Sequence, residues 1–204
     1  MTATPSLVRF SALAAPTLLL LYGLLRLIDG LDGDHGPGLA WNLGHSLFLI
    51  GFVLLGALAV GMRQLVPSTS MLTRIVASLA TVAALFGVAC FLWVILGDLF
   101  ADFHDAAPLP DALELIGPLS FQLGMLTLLV ILATARPRRL PAWSPVLVLI
   151  GFVLFAVNLD LIPIGALLIL AGLAPLACRQ VPRPGVHRGW GLSDHRQTRG
   201  HRTP

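Results

Sequence analysis

The chain has 204 residues, of which 56% are hydrophobic and only 11% charged, with a mean hydropathy of +0.87. Soluble domains carry about 25% charged residues; no soluble fold of this size hides so much apolar surface, so composition points to an integral membrane protein. All 13 basic residues are arginine, which, with abundant Ala, Leu, Gly and Pro, suggests a GC-rich bacterial source.

The N-terminus mimics a signal peptide, with Arg9 ahead of an apolar stretch. The small-residue segment "SALAAP" precedes the core "TLLLLYGLL", however, and no cleavage site follows it. The segment therefore reads as a retained first helix. Apolar length predicts an all-α bundle of six transmembrane helices, at roughly 10–29, 39–62, 72–99, 112–135, 143–159 and 161–178. Only "NLDLIP" separates the last two. Asn158 or Asp160 can cap the sixth helix and Pro163 suits its first turn, which predicts a tight hairpin. A single bent segment or a re-entrant pair is the alternative.

The first connection, "IDGLDGDHGPGLAWNLGH", contains "DGDHG", the opening of a calcium loop. Counting from Asp32, the closing position is Leu43, so the EF-hand shell is incomplete and the glycines read as turn formers. After the third span comes "GDLFADFHDAAPLPDALE". If the helix runs on, Asp98, Asp102 and Asp105 share one face, with His104 beside them. Together with Asp32, Asp34 and His35 they form a candidate external site for a divalent cation with mixed oxygen and nitrogen ligands. A solvated acidic face is the competing reading. Asp111 and Glu114 suit a helix N-cap and its N3 carboxylate.

Polar residues at membrane depth define a second candidate site. Tyr22 and Arg26 share a face of the first span, Trp41 and His45 one of the second, and Glu114, Pro118 and Gln122 one of the fourth; Asn158 and Asp160 close the fifth. All fall in the same half of the bundle, which suggests a ligand cavity open to the outside. Snorkelling of Arg26, an interfacial Trp41 and a cross-helix bond from His45 give the plainer account. Cys90 and Cys178 read as small apolar residues at different depths. His45 is the one histidine within a span, which argues against a two-histidine haem site, and no nucleophile triad, HExxH, CxxC or phosphate loop is present. No catalytic residue and no resident cofactor is predicted.

"LFLIGFVL" at 47–54 returns as "LVLIGFVL" at 147–154, in spans of opposite direction, which raises a 3+3 inverted repeat. Arginine placement sets the orientation: Arg63 and Arg74, then Arg136, Arg138 and Arg139, then the tail, put both termini in the cytoplasm. Nine of the ten acidic residues fall on the other side. The tail 179–204 is basic, without apolar period, and predicted to be disordered. Its six arginines would attract anionic lipid headgroups by about 1 kcal/mol each; tethering at the membrane makes nucleic acid the weaker partner.

These readings favour a multi-pass plasma-membrane protein acting as an accessory subunit of a membrane complex or as an outward-facing sensor. A small transporter or channel, acting with other subunits or a second copy, is the alternative. An enzyme on a lipid or lipid-linked substrate, with His45 or Glu114 as acid/base, comes third. The external cation site is checked directly: Ca²⁺, Zn²⁺ or Cu²⁺ should raise the melting temperature of the purified protein. Absence of a shift with all three removes that site.

Overall fold

In a computed structural model, residues 6–32, 36, 38–66, 70–136 and 138–178 are described. Asp34, His35 and the tail 179–204 lie outside them, as do the side chains of Asp32 and His104. The expected loop ligands and the tail's lipid contacts therefore fall outside the described residues.

The protein is all-helical among the described residues: α1 (Ser6–Asp29), α2 (Leu39–Leu65), α3 (Met71–Leu99), α4 (Ala101–Ala106), α5 (Asp111–Thr134), α6 (Trp143–Val157) and α7 (Ile162–Cys178). Short 3-10 turns, Gly30–Asp32 and Leu159–Leu161, follow α1 and α6. Five helical segments are long and apolar enough to cross a membrane, the last of them Leu159–Cys178. Helix α6 has 15 residues, about 22 Å of helix at ~1.5 Å per residue, against a hydrocarbon core of about 30 Å.

The long helices form a ring in the order α2, α1, α7, α6, α5, α3 and back to α2, with α2 also touching α5 across the middle. Between α6 and α7 the expected hairpin is present. Gly151 meets Gly165 and Ile169, while Gly172 meets Val148 and Ser144, so the two helices run antiparallel throughout. The Ser144 hydroxyl also donates to the Gly172 carbonyl. Asn158 makes the turn by accepting from the Asp160 amide (2.8 Å).

Lipid offers helices no hydrophobic reason to associate, so close backbone contact must hold them. The α3–α5 interface achieves this with small residues. A Cβ on Gly117 would stand 2.5 Å from Cys90 Cβ, one on Gly87 2.5 Å from the Phe121 amide nitrogen, and one on Gly124 2.6 Å from that of Ala84. Large side chains at 117, 87 or 124 would force the helices apart.

The echoed octapeptides find a local explanation here. Gly51 admits Ala15 and Leu19 of α1, and Gly151 admits α7; Phe52 and Phe152, the next residues, both pack on Phe121 of α5 (centroids 5.5 and 5.2 Å). Each octapeptide uses its glycine toward one neighbour and its phenylalanine toward α5. The neighbours met by Gly51 and Gly151 would not be equivalent under a 3+3 exchange, since α1 pairs with α5 in such an exchange and not with α7.

Two expectations at the helix ends change. Helix α3 does not run on: Phe100 is extended (φ −132°, ψ 98°) and α4 starts afresh. Asp98 thus leaves the register of Asp102 and Asp105, which are exposed. Three carboxylates on one helical face repel, and the break relieves that. Asp111 does not cap α5; Pro110 occupies the cap position, its carbonyl accepting from Leu113 and Glu114, and Glu114 is left to face outward from the helix.

Gly124→Leu should destabilise the bundle by at least about 2 kcal/mol, because overpacking against backbone cannot be relieved by a rotamer change. Leu123→Ala, at a position 65% exposed, should cost little. Equilibrium unfolding of both variants in detergent compares the two.

Candidate functional site

The helix termini separate by charge. Asp29, Asp98, Glu114 and Asp160 share one end of the ring, here the acidic end, and Arg9, Arg63, Arg74 and the 136–139 arginines the other. At the arginine end Arg9 donates to the Ala177 carbonyl in the last turn of α7 (3.1 Å). That carbonyl has no donor within its own helix. Arg26 is the only arginine among the described residues at the acidic end.

At the acidic end, four expected site residues come together. His45 is 3% exposed, held between the rings of Trp41 (4.0 Å) and Tyr22 (5.2 Å, edge-on). Gly44 lets α2 close on the Tyr22 ring. Arg26, one turn beyond Tyr22, has its Nε 3.9 Å from Asp160 Oδ1, and Asp160 is more than half exposed, so solvent screens this pair. Trp41 has a more specific role than an interfacial belt residue. Its indole N–H donates to the Asp98 carbonyl (3.0 Å), one of the unpaired carbonyls ending α3.

The His45 ring fixes its own protonation pattern. Nδ1 lies 2.9 Å from the Trp41 carbonyl; a carbonyl only accepts, so Nδ1 carries a proton. Nε2 faces Asp98 Oδ2 at 3.5 Å. With Nδ1 protonated, Nε2 is the ring nitrogen turned toward the Asp98 carboxylate.

Beyond Asp98 the end of the bundle opens into two adjoining clefts between α3, α5 and the α4 connection. The first, of 260 Å³, is walled by Phe91, Val94, Leu113 and Pro118; the second, of 200 Å³, by Trp93, Asp98, Phe103 and Ala107. Val94, Leu109 and Glu114 line both. Trp93 is fastened by its N–H to the Ala107 carbonyl (2.9 Å) and packs on Phe103 (5.1 Å). Gln122, half-buried on α5, is not in either lining, and Asn158 is engaged in its turn.

Below this end, the middle of the bundle is filled by rings. Tyr22 stacks on Phe48 (4.1 Å), Phe48 meets Phe52 (4.9 Å), and Phe52 meets Phe91 and Phe121 (4.1 and 5.5 Å). Phe121 continues to Phe152 (5.2 Å) and Phe152 to Phe155 (5.7 Å). Phe91 belongs to this ladder and to the cleft wall at once.

Sequence reasoning missed Trp93, Phe103 and Leu109. A tryptophan five residues before a helix-terminal aspartate, with a phenylalanine just beyond the helix break, was the available signal. Cys90 was read as a small apolar residue; it is buried against Gly117 and still contributes to the cleft. Among the described residues no group of three His, Cys, Asp or Glu side chains is arranged to hold a metal ion.

The protonation pattern predicts an asymmetry between two substitutions. Asp98→Asn supplies an amide N–H to Nε2 and should change stability by less than about 0.5 kcal/mol, whereas Asp98→Ala leaves that nitrogen unpaired and should cost about 1–2 kcal/mol. Chemical unfolding of the two variants, with ¹⁵N shifts of the His45 ring reporting a protonated Nδ1, checks both parts. Compared with family models, curated proteins and solved structures, the chain matches none of them.

Proposed function

We propose that this is a multi-pass protein of a bacterial plasma membrane, with both termini cytoplasmic and the acidic end facing outward, acting as a sensor or as an accessory subunit. The observation that carries the reading is the aromatic ladder. A polar, cleft-bearing end lies above a core packed with phenylalanine, so an occupant can enter from one side and meets no continuous polar path to the other. The segregation of arginine to one end supports the orientation. In this reading α6 completes a sixth span as half of the α6–α7 hairpin, and apolar outer faces such as Leu79 and Val82 of α3, more than 60% exposed, meet lipid or a neighbouring subunit.

Transport is the second reading, and one observation favours it. Exchanging α1, α2 and α3 with α5, α6 and α7 leaves the order of neighbours around the ring unchanged, as a 3+3 inverted repeat requires. The ladder would then have to part during a cycle. No arrangement of His45 or Glu114 with a nucleophile supports the enzymatic reading.

Orientation is tested with the chain's own thiols. A membrane-impermeant maleimide should leave Cys178, exposed at the arginine end, unlabelled in intact cells and label it once they are opened. Asp105→Cys should label in intact cells. The reverse pattern inverts the assignment. In proteoliposomes, ion flux should not exceed that of protein-free vesicles; flux above that level favours the transport reading.

A further inference from the structure

The paired clefts carry one carboxylate that no described residue pairs with. Asp98 has His45 Nε2 at 3.5 Å, and Arg26 faces Asp160. The carboxylate of Glu114, which lines both clefts, makes no hydrogen bond or ion pair with any described residue. A second acceptor lies beside it. Pro118, in the wall of the larger cleft, has no N–H, so the Glu114 backbone carbonyl is left without the donor that an α-helix supplies from four residues on.

The other walls are apolar or aromatic, chiefly Phe91, Trp93, Phe103, Leu109 and Leu113. A small hydrated metal ion gains nothing from such walls and needs several oxygen or nitrogen donors. A negatively charged ligand would meet Glu114 and the nearby Asp111. An organic cation with its own apolar groups satisfies every part: the charge faces Glu114 and the freed carbonyl, and its apolar groups pack among Trp93, Phe91 and the aliphatic walls.

We propose that the α3–α5 clefts form one binding site for a monovalent hydrophobic organic cation, with Glu114 as its counter-ion. The proposal rests on reading the acidic end as a ligand-facing surface, and adds what that ligand is. It does not depend on which side of the membrane that end faces.

The test uses the full-length protein in a maltoside detergent, which has no ammonium headgroup to compete. Tetraphenylphosphonium is titrated calorimetrically against tetraphenylborate, which has the same shape and opposite charge. Saturable binding of the phosphonium at one per chain is expected, with at least a tenfold loss in Glu114→Gln and no loss in Asp105→Asn, an exposed carboxylate outside the lining. Phosphonium binding that does not saturate, that survives in Glu114→Gln, or that falls equally in Asp105→Asn overturns the proposal. So does borate binding of equal strength. Failure here leaves the thiol-labelling and flux results untouched, while an inverted orientation leaves this binding in place.

Discussion

Everything at the acidic end depends on how closely α3 and α5 approach. Apolar side chains gain little by leaving lipid for one another, so the bundle depends on contact area and complementary shape. Glycines at 87, 117 and 124 bring two backbones together along most of their length. That contact fixes the position of Phe121, on which Phe52, Phe91 and Phe152 converge. It also sets Glu114, one turn before Gly117, at the mouth of the groove. The small-residue interface and the cleft are two parts of one packing arrangement: tight where glycine permits, open where α3 has ended and α4 turns away.

The break after Leu99 has consequences for electrostatics. A continuous helix would hold three aspartates on one exposed face, without a described cation to offset them. Ending at Leu99 places Asp98 in the last turn, where the helix dipole disfavours a carboxylate. Trp41 offsets part of that cost by taking the Asp98 carbonyl, and His45 turns Nε2 toward the carboxylate. Polar groups of α2 thereby complete the end of α3. Burial of His45 is tolerable because both of its nitrogens are engaged, which low-dielectric surroundings demand.

Much of this was legible in the sequence. Apolar length located each of the long helices to within a few residues, because lipid exposure demands continuous hydrophobicity and the turns stand out against it. The grouping of Tyr22, Arg26, Trp41 and His45 followed from helical spacing plus depth. What spacing could not supply was partnership across helices. Spacing puts Asp98, Asp102 and Asp105 in one stripe, because a one-dimensional pattern shows neither the break at Phe100 nor the contact of Asp98 with His45, over 50 residues away. Trp93 and Phe103 were unremarked for a related reason: an aromatic residue in an apolar run carries no mark of whether it faces lipid, core or cleft. The repeated octapeptide is a different case. Seven of its eight positions are identical, and both copies use the shared residues alike, a glycine toward one neighbour and a phenylalanine toward α5.

Glu114 differs from the other acids at this end in a way that bears on why it is there at all. Asp98 has His45 Nε2 and Asp160 has Arg26 Nε within 4 Å, and Asp102, Asp105 and Asp111 are exposed residues outside both clefts. Such carboxylates keep a connection soluble and need no further reason. Glu114 is exposed as well, but it stands beside an apolar wall where a glutamine or a leucine would fit the helix equally. Its neighbour Pro118 costs α5 a backbone hydrogen bond at the same place. A carboxylate without a described partner and a missing helix hydrogen bond coincide on one face, one turn apart. The packing of the bundle requires neither, so the two are better explained by something the face must hold than by the stability of the fold.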